Sequence, residues 1–435
     1  MSVLITNIQL NGEKAAIRIE KGRIHSIYTE EILPPGVDAD QLIDGGEAHV
    51  VPGLKNGHTH AAMTLLRGFA DDMKLQPWLE QKIWPTEAQL TAEDIYWGTR
   101  LAALEMIKSG TVFFNDMYFH HPEVRRAIQD TGIKAAGGPA IIDFFDEETG
   151  SQRRREIEKD FAKFSGGDPQ NEQVLFTPAP HSIYTVSSKT LLWLGDFTRD
   201  HQLPLHIHLS ESRKEVDDCV AQHSMRPVEY LDSLGLLSSR TVAAHSIWLN
   251  RKELDLLAKR GVTVVHNPVS NMKLASGSCF PFQEMKDRGI PIMLGTDGCS
   301  SNNNLDMFEE MKIAALLQKH HFGDPELMSA EEIFSIGTGA GAGIGSPAGV
   351  FANISAEITP GAHADLLLID PDYASMVPTY NLTSNLVYSA GAAAVETVVC
   401  NGKLLMRGGE VEGEDEIIRH ARRCAQALSE RAQQA

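Results

Sequence analysis

Val51-Pro52-Gly53-Leu54-Lys55-Asn56-Gly57-His58-Thr59-His60 is the stretch on which the fold turns. A run of strand length ends in a glycine and two histidines at i and i+2. Side chains two apart on a strand share a face, so His58 and His60 project together from one strand end. Upstream, residues 1–50 alternate apolar and polar in short runs (Val3-Leu4-Ile5, Ala16-Ile17-Arg18-Ile19, Ile24-His25-Ser26-Ile27) broken by Asn11-Gly12 and Lys21-Gly22, which predicts a small antiparallel β unit. Downstream, from Val51 to about Gly345, short apolar runs alternate with longer amphipathic stretches, the pattern of β/α units. Eight candidate strands are counted: Val51–Gly57, Gly110–Asn115, Ile133–Ile141, Val174–Pro180, Leu205–Leu209, Val242–His245, Val262–His266 and Pro291–Thr296. Eight strands close a (β/α)8 TIM-type barrel. A helix over Thr91–Ser109 is expected between the first two, with apolar residues at Ile95, Trp97, Leu101, Leu104 and Ile107.

Beyond the barrel the text becomes strand-like again at Ile358–Gly361, Ala364–Asp370 and Val395–Lys403, and a polar helix runs from Glu414 to about Arg431. The two chain ends are therefore paired as one small discontinuous β-sandwich. The expected division is 1–50 and 347–410 for the sandwich, 51–346 for an α/β catalytic barrel and 411–435 for the closing helix.

The 435 residues, 42% hydrophobic, suffice for a large core. Against 39 basic side chains stand 58 acidic ones, and the net charge of −19 disfavours phosphate backbones and anionic lipid. Nucleic acid and membrane are not expected partners; a small molecule is. No secretory signal or apolar span is read, which predicts a cytoplasmic location. Cys219, Cys279, Cys299, Cys400 and Cys424 are scattered and never in a Cys-x-x-Cys pair, so neither a disulfide framework nor a cysteine-ligated zinc site is expected.

Four expected strand ends carry chemistry. His58 and His60 end the first. Leu205-His206-Ile207-His208-Leu209-Ser210-Glu211 ends the fifth and offers His208 as a ligand and Glu211 as a general acid/base in the following loop; His206, deeper on the same face, reads as a packed or supporting residue. His245 ends the sixth strand and Asp297 the eighth. Each alone is an ordinary polar cap, but together they place metal-competent and acid/base groups on one rim of the barrel. Three imidazoles and a carboxylate with one open position form a catalytic metal site, where water ionises near pH ~7. Hydrolysis of an amidine-like C–NH2 bond also needs a proton for the ring nitrogen, assigned to Glu211. It needs a base for the water, assigned to Asp297, and a group to steady the developing oxygen charge, assigned to His245. The fourth strand ends Phe176-Thr177-Pro178-Ala179-Pro180-His181-Ser182 without a lysine to bridge two metals, so one metal is expected.

With these residues in place, the chain resembles the amidohydrolase superfamily, specifically its methylthioadenosine/S-adenosylhomocysteine deaminase branch, and is also similar to the triazine hydrolases. The resemblance covers nearly the whole chain through Pro52-Gly53-Leu54, His58-Thr59-His60, Met63–Gly68, Pro180-His181-Ser182, His208–Glu211, Ala244-His245, His266–Lys273 and Gly295–Asn302. It implies metal ligation by His58, His60, His208 and Asp297, with Glu211 and His245 catalytic, in agreement with the strand-end reading. It further implies that Trp78 lines a nucleoside pocket, that Glu87 accepts hydrogen bonds from ribose hydroxyls, that His181 and Glu211 contact substrate, and that Ser301 lies near the 5′ substituent. One divalent ion per subunit is implied, zinc being the expected one although iron and manganese suit the same ligands, as is a homo-oligomer.

One departure bears on substrate. Family members that accept S-adenosylhomocysteine are similar in carrying arginines after the third strand, where a guanidinium pairs with the amino-acid carboxylate. Ala135-Ala136-Gly137-Gly138-Pro139-Ala140 has none; Arg153, Arg154 and Arg155 downstream are placed to compensate, but such a run is usually a solvated helix face. Methylthioadenosine, adenosine or 5′-deoxyadenosine is therefore expected ahead of S-adenosylhomocysteine. The alternatives are a triazine or other heterocycle amino- or chlorohydrolase, against which Glu87 argues, and a non-catalytic metal-binding scaffold.

Overall fold

Gly53 splits the opening stretch between two sheets. In the computed structural model, which describes residues 2–29, 39–165, 173–342, 350–351 and 354–434, Val51 and Pro52 finish β4 (Gln41–Pro52), and β5 (Leu54–Thr59) starts just after the glycine. A Cβ at position 53 would lie 2.5 Å from Val112, so only glycine lets the chain pass its neighbour here. The barrel thus begins three residues later than the apolar run suggests.

β5 pairs in parallel with β6 (Thr111–Tyr118), which continues to β7 (Lys134–Ile141) and β8 (Val174–Phe176), while the short β9 (Ala179–Pro180) also joins β7. A second parallel arc runs β10 (Leu205–Leu209), β11 (Thr241–His245), β12 (Thr263–His266) and β13 (Ile292–Leu294). Both seams are closed by backbone bonds: the His206 and His208 amides donate to the carbonyls of Pro178 and His181 at 3.1 Å, and the Asp297 amide donates to His58 at 3.0 Å. The eight-stranded barrel expected from the sequence is present. Its fourth strand, read as continuous, is interrupted at Thr177-Pro178, where proline supplies no ladder donor.

The expected helix spans Ala92–Lys108 with a capping box: Thr91 Oγ1 accepts from the Asp94 amide and the Asp94 carboxylate accepts from the Thr91 amide. Ile95, Leu104 and Ile107 are buried, whereas Trp97 faces outward and stacks on His420, ring centroids 4.1 Å apart. His420 belongs to the closing helix, Glu414–Gln434.

The chain ends form one seven-stranded sheet. Besides β4 it contains β1 (Ser2–Leu10), β2 (Glu13–Glu20), β3 (Arg23–Thr29), β14 (Leu366–Ile369), β15 (Val395–Cys400) and β16 (Lys403–Arg407), in the order β16-β15-β14-β4-β1-β2-β3. All neighbours are antiparallel except β1 and β4, which are parallel, a departure from the wholly antiparallel N-terminal unit expected. The Ile358–Gly361 run is not a strand: Gly361, at φ 91°, turns the chain and its amide donates to Ile24. The expected boundary at 346/347 lies outside the described residues. In β14, Leu366 and Leu368 face the sheet's own core while Leu367 and Ile369 pack into the barrel's, so the strand is apolar on both sides. The buried Lys134–Asp365 ion pair ties β7 to the same junction. Among the described residues no helix is long and apolar enough to cross a membrane.

Candidate metal and catalytic site

Four of the barrel strands deliver the expected residues to one end. The ligand atoms of His58, His60, His208 and Asp297 all lie within 4.8 Å of one another. What aims them is a set of hydrogen bonds to the outer ring nitrogens. His60 Nδ1 donates to the Met117 carbonyl and His208 Nδ1 to the His181 carbonyl, both at 2.7 Å, leaving each Nε2 with its lone pair facing inward. His58 Nδ1 sits 2.9 Å from His206 Nε2, so His206 supports the cluster from below, as its depth on β10 suggested. Asp297 Oδ1 lies 3.3 Å from His58 Nε2 and 3.2 Å from His60 Nε2; its Oδ2 accepts from Ser270 Oγ at 2.7 Å.

The donor set passes the test of fitting a cation. His58 Nε2 is buried and makes no hydrogen bond of adequate geometry, and His60 and His208 bring two inward Nε2 atoms to 3.3 Å of each other, an arrangement stable only with positive charge between them. Burial drives His58 down to about 4 and His181 to about 3 and holds His208 well below its ordinary range, so these rings are neutral at pH 7, the form that ligates. Burial opposes charge on His60 and Asp297 as well, but their contact outweighs it. His60 rises to about 9 and Asp297 is held well below the usual carboxylate range. The centre thus favours a positive charge, whether a proton on His60 or a metal ion in its place.

Glu211 and His245 flank this cluster. His245 Nε2 is 3.9 Å from Glu211 Oε2 and 4.0 Å from Asp297 Oδ2, and its Nδ1 lies 2.8 Å from Asn271 Oδ1. Burial raises Glu211 above the usual carboxylate range, which favours its protonated, donating form. Three of the strand-end residues, Ser210, His245 and Asp297, are non-glycine residues at φ 50°, 68° and 60°, a concentration of left-handed backbone typical of functional sites. Gly295 permits the last of these turns, since a Cβ there would lie 2.6 Å from Asn267 Oδ1 and 2.8 Å from the His58 amide.

His60, His208, Glu211, His245 and Asp297 line a cavity whose walls include Trp78, Trp84, Glu87, Tyr118, His181 and Tyr184. Trp78, Glu87 and His181 are thereby brought to the cluster. Glu87 Oε1 accepts from Tyr118 Oη at 2.8 Å, and burial, opposed by that bond, raises Glu87 to about 7. Ser301 is not among the residues that line this cavity; its Oγ lies 3.2 Å from the Gly298 carbonyl and 3.1 Å from Ser270 Oγ, whose proton goes to Asp297. The sequence reading passed over Ser270 and Asn271, which sit inside the quoted His266–Lys273 run, and Tyr118, which lies three residues beyond the strand end assigned at Asn115.

A second cavity, of about 640 Å3, shares Trp84, Glu87, Phe119, Ala140 and Ile142 with the first and also includes Arg153, Lys159 and Lys163. Arg153, partly exposed and bonded to Glu156 at 2.8 Å, lies at the wall of this adjoining cavity, while Arg154 bonds Thr190 and Glu147 and Arg155 bonds Ser151.

A barrel with this rim of histidines and an aspartate defines a hydrolase class, and the chain belongs to the amidohydrolase family, which it matches over residues 49–405. Among its relatives is a 5′-deoxyadenosine deaminase of Methanoregula boonei, 47% identical over 99% of this chain and 96% of that protein. A 5-methylthioadenosine/S-adenosylhomocysteine deaminase 1 of Archaeoglobus fulgidus is 44% identical over 98% and 99%. An adenosine deaminase from Xanthomonas campestris, solved with bound zinc, superposes with a TM-score of 0.88 at 32% identity, covering 98% of each chain.

Proposed function

We propose that this protein is a metal-dependent hydrolytic deaminase that converts an adenine nucleoside to its inosine analogue and ammonia. The observation that carries the reading is the placement of the Glu87 carboxylate, a hydrogen-bond acceptor without use for a triazine, in the same cavity as Glu211 and the four-donor cluster. His58, His60, His208 and Asp297 hold one divalent ion; the nitrogen-rich donor set and the zinc bound by the adenosine deaminase relative favour Zn2+. When bound, the ion supplies a nucleophile from water at neutral pH and polarises it towards attack.

The chain's own groups do the rest. Glu87 takes the ribose hydroxyls and Trp78 and His181 bound the nucleoside, which sets the ring carbon over the cluster. Glu211, whose burial favours its protonated form, donates to the ring nitrogen beside that carbon. Asp297 accepts a proton from the attacking water, and His245, between the two carboxyls, hydrogen-bonds the oxygen as charge develops there. The ring nitrogen thus takes the Glu211 proton as the C–O bond forms; on collapse the proton held by Asp297 passes to the departing amine and the remaining hydroxyl proton returns to Glu211, so the C–N bond breaks, the carbonyl forms and ammonia leaves. Methylthioadenosine, 5′-deoxyadenosine and adenosine are the preferred substrates. Arg153, bordering the adjoining cavity, favours S-adenosylhomocysteine as a further substrate through its carboxylate. In the same reading the catalytic barrel runs from Leu54 to about residue 346, residues 1–52 and 347–410 form the accessory sheet, and 411–435 the closing helix of a homo-oligomer. Its five free cysteines suit a cytoplasmic, reducing compartment. The test is ammonia release by the metal-loaded protein from adenine nucleosides, guanine-type bases, pterins and triazines: turnover of the nucleosides alone is expected, and turnover of triazines alone overturns the assignment.

A further inference from the structure

The turn that presents Glu211 is not held by its own sequence. Ser210, at φ 50°, directs two successive backbone amides to the same side, a concave pair of donors of the kind that binds anions. A single buried carboxylate fills it: Glu215 Oε1 accepts from the Ser210 amide at 2.7 Å and Oε2 from the Glu211 amide at 2.8 Å. Glu215 is 2% exposed and stands in the first turn of the Arg213–His223 helix, whose cap, Ser212 Oγ, accepts from the Glu215 amide at 3.2 Å. A capping-box glutamate reaches back only to the cap residue's own amide; this one reaches one and two residues further, to the turn itself. The same turn is tied to the next strand end, since the Ser210 carbonyl accepts from the amides of Ile247 and Trp248 at 3.2 and 3.0 Å, just beyond His245.

We infer that Glu215 is a positioning residue that fixes the Glu211 carboxyl over the reacting atoms by clamping the two amides of its turn. The inference rests on the proposed role of Glu211 and makes a claim of its own about how that role is sustained. With Glu215→Gln, one side-chain oxygen serves one amide while the new NH2 opposes the other, and the Glu211 backbone is released. The turn's left-handed residue is a separate matter, addressed by Ser210→Gly, which removes the backbone strain and leaves both amides in place.

The experiment measures kcat, KM, metal content and melting temperature with methylthioadenosine for Glu215→Gln, Ser210→Gly, Ser210→Gly/Glu215→Gln, Glu211→Gln and Glu211→Gln/Glu215→Gln. Glu215→Gln is expected to lower kcat ~10- to 100-fold, as misplacing a catalytic group by about 1 Å does, with KM within about twofold and metal content unchanged. Should Glu215→Gln alone fold poorly, the Ser210→Gly background restores the fold and the kcat loss is read there. Because both residues act in one step, adding Glu215→Gln to Glu211→Gln should bring no further loss. A kcat within about twofold of wild type in a folded Glu215→Gln protein overturns the inference, and so does a full multiplicative loss in the double variant. Full activity in Glu211→Gln is a different result, which removes the proposed proton donor instead.

Discussion

Glu87→Gln separates a ribose-binding carboxylate from one that merely packs. Wild-type Glu87 is half-buried with one oxygen engaged by Tyr118 at 2.8 Å, which leaves its other oxygen for the sugar. Glutamine keeps an acceptor for Tyr118 but presents an uncharged NH2 where the second carboxylate oxygen stood. Hydrogen bonds to a charged partner are worth about 1.5–3 kcal/mol, so kcat/KM for methylthioadenosine should fall roughly 10- to 150-fold, mostly through KM. 2′,3′-Dideoxyadenosine lacks both hydroxyls and should lose less than about twofold. Glu87 is raised to about 7, by burial, and a carboxyl loses its acceptor charge below its pKa. KM for the ribonucleoside in wild type should therefore rise as pH drops through 7, and in Glu87→Gln it should not. Spectrophotometric initial rates for both substrates between about pH 5.5 and 8.5 decide the matter. An equal loss for the two substrates, or an unchanged pH dependence in the variant, refutes the ribose assignment.

Glu211→Gln should retain metal by elemental analysis yet lose about 10²- to 10⁴-fold in kcat, the range for a general acid, while His58→Ala should lose metal and activity together. kcat/KM for methylthioadenosine should exceed that for S-adenosylhomocysteine, and Arg153→Ala should widen the gap through S-adenosylhomocysteine alone; a reversed order, or an equal effect on both substrates, rules out the proposed 5′ recognition. Removal of metal with a chelator should abolish ammonia release and lower the melting temperature, since an ion at 100 times its Kd contributes about 2.7 kcal/mol to the folded state. Readdition of zinc, iron and manganese in turn, scored by recovered kcat, identifies the effective metal.

The donor cluster was legible because strand geometry is local: His58 and His60 share a face by spacing alone, and His208, Glu211, His245 and Asp297 each stand where an apolar run stops. The Thr91–Ser109 helix was legible to its caps for the same reason. What escaped depends on neighbours distant in the chain. Tyr118 finds Glu87 and Asn271 finds His245 only once the barrel closes, and nothing in the spacing of Ser301 showed that its hydroxyl would turn to Gly298 and Ser270. The sheet misled in two places by the same ambiguity. Val51-Pro52 continues the apolar run of β5 yet belongs to β4, and Ile358–Gly361 has strand-like composition but ends in a Pro-Gly pair that turns. The arginine run divides because three consecutive helix residues cannot share one environment: Arg153 pairs with exposed Glu156 at the wall of the adjoining cavity, Arg154 turns in to Thr190, and Arg155 bonds Ser151.

The junction at Gly53 also orders events in time. β4 enters β5 with one residue between, and its free edge is filled by β14, Pro52 pairing with Leu366. The strand that carries the first two histidines is therefore anchored by a segment made near the end of synthesis. A nascent chain that has just exposed His58 and His60 has two of the four donors and no scaffold to hold them. The four-donor set is thus a high-contact-order assembly, complete only when segments far apart in the chain have met.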